Sequence, residues 1–181
     1  LKDRCRAKWA TLAYQPPANA YKYWALTASN SVTRAYVDDA NPDGPGTLRI
    51  YVGGPEGGLD SGTVSTVDTY IQARRATSAV VTTASAIVEN VLVQGTIYSE
   101  ASAALTIGQV QDGLRAYFRS LPIGGERIPQ LLPYTLLSDQ IEKVLLNLPG
   151  VRSITLDSPG DVALHPSWVA VPTFSLSISN F

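Results

Sequence analysis

The chain has 181 residues, 45% of them hydrophobic and 16% charged, and a formal net charge of -1. That balance supports packed cores and excludes a disordered chain, while the dispersed Lys and Arg residues offer no electrostatic footprint for nucleic acid. Every apolar run falls short of the about 18 residues that cross a bilayer, and the lone Cys5 permits neither an internal disulfide nor a cysteine-based zinc site.

Leu1, Cys5, Trp9 and Leu12 fall at helical spacing and predict an amphipathic first helix that Pro16-Pro17 ends. Tyr21, Trp24, Ala25 and Ala28 form a second stripe, with Pro17 where a helix start tolerates proline. Alternation over Val32–Val37 and again over Thr47–Val52, across a connection holding Asn41, Pro42, Asp43, Gly44, Pro45 and Gly46, predicts two neighbouring antiparallel strands. A glycine-rich bend from Gly53 to Gly62 leads to a helix over about Thr63–Arg75, closed by Arg74 and Arg75 where cations suit the helix dipole. The β-branched residues of Val80–Thr82 and Ile87–Tyr98 predict one long strand linking two halves, with Ile87, Val91, Val93 and Ile97 sharing a face.

Thr106 and Gln109 are spaced as a capping box ahead of Ile107, Val110, Leu114, Tyr117 and Phe118 on one helical face. Pro122–Pro133 holds three prolines and Gly124-Gly125, so an irregular surface segment is expected there. Leu137, Ile141, Val144, Leu145 and Leu148 mark the most hydrophobic helical face, stopped by Pro149-Gly150. Val151–Leu156 reads as a strand. Val169–Val171 and the Phe174, Leu176, Ile178 series have opposite parity around Pro172, which predicts a bulge or an edge position.

These elements give an α+β fold of two small domains, 1–83 and 84–181, each a short, mostly antiparallel sheet packed with helices. A helix-strand-strand order occurs twice, over Asn19–Val52 and again from Ser138 to about Ile178, and predicts that the regions near 18–80 and 134–178 superpose through these elements.

The chemistry-bearing residues are sparse. A nucleophilic triad needs a base, and the single histidine, His165, sits between Leu164 and Pro166 in a turn, where an exposed loop role is expected. Gly53-Gly54-Pro55-Glu56-Gly57-Gly58 lacks the Gly-Lys-Ser/Thr ending of a phosphate loop and carries Glu56, which would repel phosphate. Asp38, Asp39, Asp43 and Asp60 match no calcium-loop spacing and read as solvated acidic surface. No catalytic residue, cofactor or metal is therefore assigned, and no enzyme is expected. Asp43, Glu56, Arg74, Arg75, Glu126 and Arg127 are the candidate contacts to a protein partner. The rival reading is a small-molecule or carbohydrate-binding module that stacks its ligand on Trp24, Tyr36, Tyr51 or Trp168.

Through Trp24-Ala25-Leu26, Val32-Thr33-Arg34-Ala35-Tyr36-Val37, Gly44-Pro45-Gly46-Thr47-Leu48-Arg49-Ile50 and Val67–Arg75, the chain resembles the baseplate J-like family of contractile phage tails and tail-like particles. The likeness continues through Leu121-Pro122-Ile123-Gly124-Gly125, Pro149-Gly150-Val151, Asp161–Leu164 and Trp168–Val171. The resemblance implies a non-enzymatic wedge subunit located in the baseplate of a virion or tail particle and, during assembly, in the bacterial cytoplasm. Its implied partners are other baseplate and tail proteins and copies of itself, with neither nucleic acid nor membrane. It corresponds to the middle and C-terminal part of such a protein, and the Leu1 start without any methionine agrees with a piece of a longer chain.

Overall fold

The computed structural model describes residues 17–101, 104–126, 135–136 and 138–180. The helix expected over Leu1–Leu12, with Cys5, lies outside the described residues, as do Arg127, the rest of the 127–133 segment and Leu137. The chain divides into two compact units, Leu1–Ile87 and Val88–Phe181. The fold is α+β, with helices packed on small sheets.

In the first unit, helix α1 (Ala18–Ala28) starts on Pro17, whose carbonyl accepts from the Ala20 amide at 2.8 Å. Its 3.6-residue periodicity puts Tyr21, Trp24 and Ala25 on one face, and all three are buried. Tyr21 and Trp24 meet edge to face with centroids 5.1 Å apart, a favoured aromatic geometry. Strands β1 (Arg34–Asp38) and β2 (Thr47–Gly53) pair antiparallel as the alternation predicts, with Tyr36 opposite Tyr51. Between them Asn41 takes a left-handed conformation (φ 59°), and its side-chain oxygen accepts from the Gly46 amide at 2.9 Å.

Helix α2 (Ser61–Gln72) carries the chain back along the sheet, so the next strand, β3 (Val80–Ser85), pairs with β2 in parallel, Thr47 opposite Val80 through Val52 opposite Ser85. A parallel pair needs such a crossover, and α2 supplies it. Ile50 and Val52 from the sheet, Val67 and Ile71 from α2, and Tyr21 and Trp24 from α1 close one core.

The helix limits differ from the expectation. Asp60 caps α2, accepting from the Thr63 amide at 2.9 Å and its hydroxyl at 2.6 Å, so the helix begins two residues early. It also ends at Gln72, leaving Arg74 and Arg75 in the following turn rather than in its last turn. Both of their amides donate to the Ile71 carbonyl at 2.9 Å, and the i to i−3 bond from Arg74 tightens the chain out of α-helical geometry. The cap bonds hold the Asp60 carboxylate below its ordinary range, chiefly through the Thr63 hydroxyl and amide. A depressed carboxylate contributes stability above its unfolded pKa of about 4 that is lost as pH falls through the folded value. Asp60→Asn keeps a capping oxygen but cannot titrate. Acid unfolding followed by circular dichroism is therefore expected to show a shallower loss of stability below about pH 4 in that variant.

The strand expected to run through the second half of the 80s is two strands in two sheets. β3 stops at Ser85, where the Ala86 amide reaches the Val52 carbonyl at 2.8 Å, and β4 (Ile87–Ser99) joins a second sheet of order β6-β4-β8. Ile87 does not share the buried face: it is 54% exposed, while Val91, Val93 and Ile97 are buried as their parity predicts.

β4 is the central strand. β6 (Val151–Ser158) runs antiparallel to it, with register shifts at Gln94/Gly95 and Tyr98/Ser99. β8 (Trp168–Asn180) lies on its other side, and the bonds Thr96 to Ser177 and Ser99 to Asn180 share one sequence offset, so β8 runs parallel to β4. Helix α3 (Ile107–Ser120) has the expected capping box: the Thr106 hydroxyl accepts from the Gln109 amide at 3.3 Å, and the Gln109 side chain accepts from the Thr106 amide at 2.9 Å. Val110, Leu114 and Phe118 of α3 and Ile141 and Leu145 of α4 (Ser138–Leu146) cover the sheet with Val91, Val93 and Ile97.

The proline-rich segment turns inward directly after the exposed Pro122. Ile123, Gly124 and Gly125 are buried. The Gly124 amide donates to the Trp168 carbonyl at 2.7 Å, and Glu126 exchanges backbone bonds with Thr135, which starts the short pair of β5 (Thr135–Leu136) and β7 (Val162–Ala163). Gly125 has φ +82°, and a Cβ there would lie 2.9 Å from Leu164 Cδ1 and 3.0 Å from the Thr135 carbonyl oxygen. Glycine is needed because two backbones approach closely there.

The recurrence of helix-strand-strand is one of chain order, not of structure. β1 and β2 are neighbours, whereas β4 lies between β6 and β8, the strands that follow α4. Thus the expected superposition of the two regions does not hold. Strand pairing is non-local, and a short helix-strand-strand order is compatible with either arrangement.

Candidate functional site

The described candidate contact residues are carried by turns at opposite ends of the first sheet and, for Glu126, by a bridge to Thr135 in the second unit. Asp43 sits in the β1–β2 connection, where its carboxylate pairs with Arg49 and its amide donates to the Thr47 hydroxyl at 3.1 Å. Tyr51 and Asp43 together hold the Arg49 guanidinium above its ordinary range. Asp43 therefore orders its own loop as well as presenting charge.

Arg75 lies at the same end, because the β2 and β3 starts are paired there. Its guanidinium bonds Gln72 Oε1 at 2.5 Å, the Ala76 carbonyl at 3.2 Å and the Ala79 carbonyl, fastening the turn between α2 and β3. Arg74 diverges from it. Its guanidinium lies 3.5 Å from the centre of the Tyr70 ring and donates to the Tyr70 carbonyl at 2.9 Å. With Ser65, Thr66, Thr69, Tyr70 and Ala73 it lines a shallow groove along the outer side of α2. A cation on an exposed aromatic face is a modest attraction, about 0.5–1 kcal/mol.

Glu56 is at the other end of the sheet, in the bend closed by reciprocal Gly54 and Gly57 backbone bonds. Beneath it the buried Arg34 of β1 donates to the Gly54 carbonyl at 2.5 Å and the Pro55 carbonyl at 3.4 Å. Burial lowers the affinity of this guanidinium for its proton, and the Glu56 charge opposes that shift. The strand alternation does not by itself single out Arg34. The signal was a charged residue inside an alternating strand, one step out of phase with Ala35 and Val37.

In the second unit Glu126 is joined to Thr135 through the backbone. Burial, reinforced by the Glu126 carboxylate, pushes the neighbouring Tyr117 phenol up to about 12. Asp43 and Arg75 are thus brought to one end of a sheet and Glu56 to the other. Glu126 belongs to the other unit.

The residues weighed for chemistry have local roles. His165 Nδ1 lies 2.8 Å from the Ser167 hydroxyl, and its ring is 5.9 Å from that of Trp168. Asp38 accepts from the Ala40 amide at 3.1 Å, while Asp43 and Asp60 hold a loop and a helix start. No group of three or more His, Cys, Asp and Glu that could hold a metal occurs among the described residues. No helix among them is long and apolar enough to cross a membrane. Of the aromatic residues considered for ligand stacking, Trp24 is buried in the first core, and Tyr36 and Tyr51 stack on each other with centroids 6.4 Å apart.

No family model matches the chain, and no curated protein matches it by sequence. Its fold, however, has a solved counterpart. A chain in the cryo-EM structure of the anti-feeding prophage (AFP) baseplate, six-fold symmetrised, superposes over 86% of this chain with a TM-score of 0.56 at 11% sequence identity. The fold is that of a baseplate chain. The protein described here spans 37% of that chain's length.

Proposed function

We propose that this chain is part of a structural subunit of a contractile-tail or tail-like particle baseplate, acting through protein–protein contacts rather than catalysis. The observation that carries the reading is the shared fold across 86% of the chain with an AFP baseplate chain. It is supported by the baseplate J-like motifs, which were read from residues alone and point to the same kind of particle. Other baseplate and tail proteins, together with further copies of the subunit, are its proposed partners. Its proposed location is the particle baseplate, after assembly in the bacterial cytoplasm.

Asp43, Glu56, Arg74, Arg75, Glu126 and Arg127 are proposed as contact residues on this reading. Because Asp43 and Arg75 lie at one end of the first sheet and Glu56 at the other, these three would serve at least two neighbours rather than one interface. Loops positioned by a rigid scaffold commonly play this part.

Quantitative mass spectrometry of purified tail particles from the source organism tests the role. The expected result is the parent protein present at a fixed copy number relative to the sheath, in a multiple of the tail's rotational symmetry. Intact tails that lack the parent protein would sink the proposal and leave only a shared fold.

A further inference from the structure

β8 is a 13-residue strand at the edge of its sheet, and among the described residues no strand pairs with its outer side. Its first part is guarded: the Trp168 carbonyl is taken by the Gly124 amide, and Pro172 has no amide to offer. From Thr173 to Asn180 there is neither proline nor charge. The opposite edge, β6, carries Arg152 and Asp157. Edge strands are ordinarily blunted by charge, proline or bulges, because an open row of amides and carbonyls templates further pairing. The second half of β8 carries neither charge nor proline.

That half is also self-complementary. Read outward from Leu176 in both directions, Ser175 matches Ser177, Phe174 matches Ile178 and Thr173 matches Ser179. Two such strands, antiparallel about a two-fold axis through Leu176, would set apolar opposite apolar and hydroxyl opposite hydroxyl. Directly opposed residues in an antiparallel pair lie on the same face. Phe174, Leu176 and Ile178 pack against the core but are only partly buried, whereas Thr173, Ser175, Ser177 and Ser179 are exposed on the other side. Pairing would therefore continue the apolar face from one copy into the next and cover surface that each copy alone leaves partly open.

We propose that the Thr173–Asn180 edge is a self-association site at which a second copy of this chain adds its own β8 antiparallel, joining two three-stranded sheets into one of six strands. The occupant is a second copy because a two-fold interface requires a surface that complements itself, and this segment does so in pattern and in lack of charge. The inference stands apart from the baseplate reading and holds or fails without it.

Sedimentation of the 181-residue chain tests it. The wild-type chain is expected to reach dimer mass at concentrations up to about 100 µM, corresponding to a free energy of association of at least about 5.5 kcal/mol. The double variant Ser175→Lys with Ser177→Lys changes only exposed side chains and sets lysine against lysine across the axis, so its mass is expected to halve. The corresponding double glutamate variant is expected to be monomeric alone and to recover dimer mass when mixed in equal amount with the lysine variant. A wild-type monomer throughout that range, a dimer unchanged in the lysine variant, or a mixture that stays monomeric overturns the proposal. Should a double variant lose its circular dichroism, amide exchange on the wild-type chain decides. Protection over Thr173–Asn180 that rises with protein concentration supports self-pairing, and exchange independent of concentration refutes it.

Discussion

Phe118→Ala is expected to lower the unfolding free energy by about 4 kcal/mol, within the range for truncating a large buried aromatic. Phe118 is 1% exposed in the last turn of α3, in the cluster with Val93, Ile97, Leu114, Ile141 and Leu145, and meets Tyr117 edge to face at 5.6 Å. Removing the ring takes apolar surface out of the core and leaves a cavity between α3, α4 and β4 that such close packing cannot fully collapse. Urea denaturation checks this. The midpoint should fall with little change in slope, because the surface exposed on unfolding is nearly the same. A loss below about 1 kcal/mol would show that α3 does not pack as described.

Gly95→Ala is expected to destabilise the same sheet by about 3 kcal/mol, although it adds one methyl group to a strand. An added Cβ would lie 2.3 Å from the Thr155 carbonyl oxygen, 3.1 Å from Leu156 Cα and 3.3 Å from the Thr155 carbonyl carbon, all of them backbone atoms. No side chain can rotate away to make room. The site is the register shift where β4 and β6 change pairing between Gln94 and Gly95, so relief requires the two strands to separate. Amide exchange provides the local readout: protection over Gly95–Tyr98 and Ser153–Leu156 should fall by more than tenfold, since about 1.4 kcal/mol already corresponds to a factor of ten. Unchanged exchange in that segment would contradict the close approach.

Much of the local structure was legible in the residues. The stripe of Tyr21, Trp24 and Ala25, the Thr106 and Gln109 capping box and the Ile141, Leu145 face each fixed a helix, because helical periodicity and capping operate within a few residues of chain. The antiparallel β1–β2 pair was legible for the same reason, being joined by one short connection. Of the contact candidates, the sequence placed Asp43, Glu56 and Glu126 in turns. It could not show that Asp43 orders its loop through Arg49, that Arg74 turns back onto Tyr70, or that Arg75 fastens the start of β3. Those bonds depend on where the turns lead the chain.

By itself, then, the sequence determined the α+β class, most helix positions and the uncharged alternation of Thr173–Ser179. Tertiary structure alone decided that β2 and β3 run parallel across α2, that β4 divides β6 from β8, that Gly124 and Gly125 are buried beneath neighbouring backbone, and that the uncharged alternation falls on a sheet edge. The physical reason is the range of the interactions. Helical faces and turns are set by contacts three or four residues apart, whereas a strand's alternation names its buried face but not its neighbour, and the neighbour is selected by packing between segments distant in the chain.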